Sequence, residues 1–295
     1  MDLTGTKYTY TDLCSDLSQL QEKQPEVEVI SIGRSVEGRN LFAVRLGSGP
    51  RRIHYTAGMH ANEWITTPLL VRFCQDFSAC LEDKQPLAGW DPEELSSCSS
   101  IWITPCMNPD GAELVQLGID AGNKFYAQVK NINRSSEDFR HWKANIRGVD
   151  LNHQFEAGWS TQANMSPKKP SPRDHAGPGP LSEPESQALA SFTMGQDFAM
   201  VAAFHSQGEV IYWGYRGMEP AESMPLATKM ARLTGYRPVR YAGTHAGYKD
   251  WFIQNWRRPG FTVEVGRGKN PLRLSTLPDI YRKISGLLVW CAAGS

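Results

Sequence analysis

Ile53-His54-Tyr55-Thr56-Ala57-Gly58-Met59-His60-Ala61-Asn62-Glu63-Trp64 is the stretch on which the fold turns. Its first five residues form a short apolar run that predicts a buried strand, and a helical pattern begins soon after. His60 and Glu63 fall between the two. An imidazole and a carboxylate three residues apart, in the first turn after a strand, can point at one spot. Zinc accepts nitrogen and oxygen ligands of this kind, and a catalytic zinc uses three of them and keeps one position open. The pair therefore asks whether the chain supplies a third ligand, a base and a cleft.

Working outward, Tyr10 to Gln21 has helical periodicity, with Thr11 as its expected N-cap. Val27 to Ile32 alternates as a strand. A turn over 33–38 leads to its hairpin partner, Asn40 to Leu46. A helix is expected from Thr66 to Leu81, and a strand from Ser100 to Met107, ended by the turn signal Asn108-Pro109-Asp110-Gly111. Phe198 to Phe204 is continuously apolar, as a strand covered on both faces should be. Val210–Trp213 and Phe261–Val265 add strands; Pro220–Thr234 and Pro278–Cys291 add helices. Interleaved strands and helices predict an α/β sandwich around a central sheet. Between Phe155 and Glu185 the prolines crowd, which predicts a long loop at the rim of a cleft.

Composition excludes several classes. The 295 residues include 40% hydrophobic and 21% charged side chains, and Lys+Arg equals Asp+Glu at 31 each. No basic run exceeds two residues, so neither nucleic acid nor an anionic membrane is an expected partner. No segment approaches the ~18 apolar residues of a membrane span. The first residues lack a signal-like apolar stretch, so the expected location is the cytoplasm. The six cysteines show no paired spacing and are expected to be reduced and mostly buried.

Three apolar strands end in, or contain, groups with chemistry: His60 follows the first, His205 follows Phe198–Phe204, and Glu264 lies within Phe261–Val265. Ligands of open α/β sheets collect beyond the carboxyl ends of strands. His60, Glu63 and His205 around one ion make a His₂Glu set, able to acidify water and polarise a carbonyl. Glu264, costly on an apolar strand unless it faces a cleft, is the expected general base. His-Glu-x-x-His is absent, and the inverted His-x-x-Glu-His would need a histidine where Trp64 stands.

At this point the chain resembles the zinc carboxypeptidase (M14-type) family. The resemblance runs from about Tyr8 to the C-terminus. It rests on Ser31-Ile32-Gly33-Arg34-Ser35-Val36-Glu37-Gly38-Arg39, His60-Ala61-Asn62-Glu63, Met107-Asn108-Pro109-Asp110-Gly111, Gly148-Val149-Asp150-Leu151-Asn152, His205-Ser206 and Glu264. It implies a three-layer α/β/α sandwich with a mixed, mostly parallel eight-stranded sheet, one zinc held by His60, Glu63 and His205, and Glu264 as base. A cation that polarises the scissile carbonyl is expected upstream, at Lys143 or Arg147. A mobile tyrosine is expected at Tyr241, with Tyr248 as the other candidate. Family members grip a C-terminal carboxylate with an Asn-Arg pair, but here Asn152 is followed by His153, which lacks the bidentate fork of arginine. Lys249, Arg267 and Lys269 are candidates for a cationic pocket suited to a substrate with extra carboxylates.

These departures resemble the bacterial γ-D-glutamyl–diamino acid endopeptidase branch, which cuts murein peptides. That likeness implies a peptide substrate, a single catalytic domain over 1–295, and neither propeptide nor cell-wall-binding module. The alternatives are a conventional carboxypeptidase, a deacylase, and a non-catalytic murein-peptide-binding module on the same scaffold.

Overall fold

The computed structural model describes residues 5–240 and 245–294. Its eight strands are β1 (Glu28–Arg34), β2 (Asn40–Leu46), β3 (Arg51–Thr56), β4 (Ser99–Thr104), β5 (Met200–Ser206), β6 (Val210–Tyr212), β7 (Arg237–Val239) and β8 (Gly260–Val265). They form one sheet in the order β1-β2-β4-β3-β5-β8-β6-β7. The centre is parallel, β4 with β3, β3 with β5 and β5 with β8, and β6 pairs with β7 in parallel at one edge. The β1–β2, β2–β4 and β6–β8 pairings are antiparallel.

Alternation along the strands explains the layers. Ile53, Tyr55, Met200, Ala202, Phe204, Phe261 and Val263 face one core. There they meet Leu13 and Leu17 of helix Tyr10–Lys23, Leu69 and Phe73 of Thr66–Glu82, and Ile284 and Leu288 of Leu277–Ala293. Leu41, Ala43, Trp102, Val201 and Ala203 face the other, against Leu189 and Phe192 of Pro184–Gln196 and Phe252 and Ile253 of Tyr248–Trp256. Each face is dry because each is covered, which gives the three-layer α/β/α sandwich.

Several local expectations change. Thr9, not Thr11, caps the first helix: its side chain accepts from the backbone of Asp12, and Asp12 answers with a bond to Thr9 N. The turn at 108–111 is the start of helix Pro109–Leu117. Asn108 caps it by accepting from Gly111 N, and proline suits the first helical position because its missing N–H would be unpaired there. Gly111 is required: a Cβ there would lie 2.6 Å from Ala144 O and 2.8 Å from Ala61 Cβ. The 155–185 segment holds a short helix, Trp159–Met165, and is tied down elsewhere. Pro172 O accepts from Lys143 N at 2.8 Å and Ala144 N at 3.0 Å, and His175 O from Asp150 N at 2.8 Å. It borders the cleft, as expected, but as tethered backbone with one short helix. The six cysteines are free, but only Cys74, Cys106 and Cys291 are buried. No helix among the described residues is long and apolar enough to cross a membrane.

Candidate metal and catalytic centre

His60 leaves β3 in an extended conformation and caps the single turn Ala61–Glu63. That turn is pinned by Ala61 N donating to Lys143 O at 2.9 Å. The geometry swings Glu63 back beside His60. His205 lies within β5, one residue before its end rather than after it, in register with Glu264 on β8. The parallel β3–β5–β8 arrangement thus delivers all four groups to one end of the sheet.

His60 Nδ1 lies 3.0 Å from Glu63 Oε1, His205 Nδ1 lies 3.0 Å from Glu63 Oε2, and the two Nδ1 atoms are 3.1 Å apart. All three residues are buried. Ser206 N donates to Glu63 Oε2 at 3.1 Å, fixing the carboxylate. Behind His60, Asp150 Oδ1 lies 3.2 Å from Nε2 and accepts its proton, which leaves the Nδ1 lone pair aimed into the cluster.

The electrostatics ask for positive charge. Burial disfavours a charged His60, but Glu63 and Asp150 together outweigh it and bring the imidazole up to about 9. Burial opposes ionisation of Glu63 as well, yet His60 and His205 hold it well below the usual carboxylate range. His205 is lowered by its burial. Burial and then the Glu63 carboxylate push Glu264 up to about 8. Two ring nitrogens facing each other and one carboxylate leave room for one shared proton or for a cation. The N,N,O set and its supporting carboxylate fit zinc, with a fourth position open. In Asp150→Asn, the His60 ring loses its charged partner. Zinc affinity should fall roughly 10- to 100-fold in a chelator competition, with an unchanged circular dichroism spectrum; unaltered affinity would remove Asp150 from this role.

A cavity of about 450 Å³ opens on the cluster, lined among others by His60, Lys143, Asn152, His153, Lys249 and Glu264. A larger one, of about 880 Å³, runs along 167–173 and holds none of these. Lys143 is the cation brought to the centre: its Nζ lies 3.8 Å from Glu63 Oε1, and Glu63 and Asp150 raise it against the cost of burial. Arg147 points away, its Nη1 3.5 Å from Glu183. Arg267 is largely exposed and pairs with Glu209 at 2.7 Å, and Lys269 lines a separate hollow beside Asp138. Neither lines the cavity beside the cluster. Tyr248 is buried in the core, its hydroxyl bonded to His54 Nδ1 at 2.8 Å and Thr193 at 2.9 Å. Tyr241 lies outside the described residues.

Asn152 and His153 both face the cavity. Asn152 Oδ1 accepts from Tyr248 N at 3.4 Å, so its amide N–H groups remain for a ligand. His153 is buried, and its Nδ1 has no hydrogen-bond partner. Sequence reasoning missed Asp150 and two carboxylates that line the cavity, Asp174 and Asp250. Asp150 and Asp250 were hidden inside motifs read for their neighbours, and Asp174 in the proline-rich stretch. The signal for Asp150 was its N-capping position before Leu151–His153.

The sequence profile of zinc carboxypeptidases matches residues 13–279. The chain is 42% identical over 282 residues to gamma-D-glutamyl-L-diamino acid endopeptidase 1 of Lysinibacillus sphaericus, covering 96% of this chain and 71% of that protein. Among solved structures it is similar to bovine thrombin-activatable fibrinolysis inhibitor, with a TM-score of 0.70 at 19% identity over 97% of this chain and 95% of that one. It is also similar to the murein-tripeptide amidase MpaA of Escherichia coli O157, with a TM-score of 0.55 at 22% identity, over 89% and 92%.

Proposed function

The chain belongs to the zinc carboxypeptidase family and is a metallopeptidase; from that premise we propose that it cuts the amide between the γ-carboxyl of D-glutamate and a diamino acid in murein-derived peptides. The observation that carries the reading is the cleft floor beside the catalytic cluster. No arginine lines it among the described residues, whereas Asn152 and His153 do, the pair that the family resemblance matches to a carboxylate-gripping Asn-Arg. A site built this way holds a polar peptide without demanding a free C-terminus. The 42% likeness to a γ-D-glutamyl endopeptidase supports the same bond.

One zinc, held by His60, Glu63 and His205, would supply Lewis acidity that polarises the carbonyl and acidifies water. Glu264 takes the proton of the attacking water and passes it to the leaving amine. The Lys143 ammonium offsets charge gathering on the carbonyl oxygen. Asn152 donates its amide to the substrate, and the His153 ring borders it with its Nδ1 turned towards Asp150 Oδ2 at 3.9 Å. Six free thiols suit a reducing compartment, and we place the enzyme in the cytoplasm.

Product analysis by mass spectrometry tests the reading. Zinc-loaded protein given L-Ala-γ-D-Glu-diaminopimelate peptides should release the diamino acid or its C-terminal dipeptide. Trimming of all-L tripeptides from the C-terminus, with the γ-glutamyl bond left intact, would make it a conventional carboxypeptidase. Tight binding without any cleavage would make it a binding module.

A further inference from the structure

Among the described residues, two groups of His, Cys, Asp and Glu bring three donor atoms within 4.8 Å of one another. One is the catalytic cluster. The other, on the adjoining wall of the cleft, is Asp150, His153 and Asp174. Asp150 caps the single turn Leu151–His153, its Oδ1 accepting from Asn152 N at 3.0 Å, and the turn brings the His153 ring back beside it. His153 Nδ1 stops 3.9 Å from Asp150 Oδ2. Asp174 reaches the same spot from the proline-rich segment, where its N–H donates to Asp150 Oδ2 at 3.3 Å.

A gap of 3.9 Å is too long for a hydrogen bond. It suits two ligands of one ion, since donors about 2.1 Å from a divalent metal stand roughly 3–4 Å apart. His153 is only 9% exposed, and nothing satisfies its Nδ1. A buried polar atom left bare costs stability, and a ligand at that spot removes the cost. Asp150 divides its oxygens: Oδ1 faces His60 Nε2 at 3.2 Å, and Oδ2 faces His153 and Asp174. One imidazole and two carboxylates suit a divalent ion of the zinc or manganese kind. Two cations stand against it. Lys143 lines the same cavity, and Arg173 Nε lies 3.4 Å from Asp174 Oδ2. A zinc on the catalytic cluster adds to the repulsion. The second ion is therefore held more weakly, and one equivalent of zinc fills only the first site.

We propose that Asp150, His153 and Asp174 form a second divalent-cation site, which supplies the positive charge that holds a carboxylate of the bound peptide. His153 and Asp174 line the cavity beside Asn152, so an ion on the three side chains keeps its open positions towards the ligand. The floor has no arginine among the described residues, and Asn152 offers only neutral N–H donors. Lys143 serves the carbonyl oxygen, and Lys249 is taken up by Asp250. A metal here provides the full charge and fixed geometry that orient a carboxylate. The cation site stands on its own geometry; its use towards substrate rests on the γ-glutamyl peptidase reading above.

Equilibrium dialysis against buffered free zinc, followed by metal analysis, tests the site. The wild type should take up one zinc per chain, then a second at free zinc roughly 100-fold higher or more, the scale set by the opposing charges. His153→Ala and Asp174→Asn should each lose the second step and keep the first within about threefold. The Asp174 side chain is half-exposed, so its variant decides the matter should the His153 variant misfold. A single step in the wild type, or a second step that both variants retain, would overturn the proposal. The carboxylate is identified by kcat/KM for a γ-D-glutamyl–diamino acid peptide and two analogues, one amidated at the glutamate α-carboxyl and one at the C-terminus. Filling the second step should raise the parent over one of the analogues roughly tenfold, and Asp174→Asn should show no such rise. A parent that tracks both analogues overturns the carboxylate role. Two bound zinc ions in a chain that cuts none of the three peptides would keep the cation site and overturn the reaction itself.

Discussion

Glu264→Gln protein is expected to bind one zinc per chain, as the wild type does, and to turn over peptide roughly 10³-fold more slowly, the scale of a lost general acid–base group. Glutamine has the shape of glutamate and can still hydrogen-bond, but it cannot take up a proton. Glu264 stands outside the His60–Glu63–His205 cluster, so metal content separates loss of the base from loss of the site. A second readout follows from its titration. Burial and Glu63 raise this carboxyl from 4.5 to about 8 in the metal-free chain. A carboxyl raised on folding costs stability, and the cost accumulates as pH climbs from the unfolded value towards the folded one. At pH 7 the metal-free Gln variant should therefore unfold at the same temperature as the parent or higher. Activity within tenfold of wild type, with zinc bound, would remove Glu264 from the mechanism.

The residues of this centre differed in how visible they were, and the reasons are physical. His60, Glu63, His205 and Glu264 could be found because a polar group at the end of an apolar strand is expensive without a purpose. The central place of β5 was also accessible, since a continuous apolar run such as Phe198–Phe204 marks the middle of a parallel sheet. The choice between Lys143 and Arg147 was not accessible. Both cations flank Asn145, and what separates them is a turn closed by Gly148 N donating to Asn145 O at 3.0 Å, which carries Arg147 out to Glu183. Arg267 was misjudged for a related reason. It follows β8 closely in sequence, but Glu209, itself buried, draws it away.

Helices were lost where turn chemistry and capping chemistry share residues. Asn-Pro-Asp-Gly suits a turn, and the same four residues start helix Pro109–Leu117 once Gly111 packs on Ala144 and Ala61. Helix Pro184–Gln196 begins with a proline that ended the apparent loop, and its apolar face appears only against Trp102 and Phe198 of the opposite core. Asp250 was concealed by Lys249: adjacent opposite charges look like a solvated pair until the sheet buries both. Tertiary packing decided each case, and no local pattern carries that information.

Removing the metal should have the largest effect of all, and its pH dependence carries the test. Chelated protein is expected to keep less than about 1% of its activity and to recover with one equivalent of zinc, because the proposed reaction uses one ion at the His60–Glu63–His205 cluster. In the metal-free chain His60 holds a proton up to about 9, while Glu63, held far below the usual range, and His205, lowered by burial, hold none at neutral pH. Zinc must displace the His60 proton. It also cancels the Glu63 charge, which after burial is the second cause holding Glu264 protonated up to about 8. Zinc affinity should then rise with pH, since fewer protons compete. Between pH 6 and 8 the logarithm of the association constant should climb between one and two units per pH unit. From about 8 to about 9 the slope should fall to one, and above that it should flatten. Zinc should also protect against heat in the same order, by about 4 kcal/mol when free metal is a thousandfold above its dissociation constant. Competition titrations with a chelator of known affinity at each pH measure the slope. An affinity independent of pH would mean that His60 carries no proton for zinc to displace, and the charge assigned to the metal-free cluster would then be wrong.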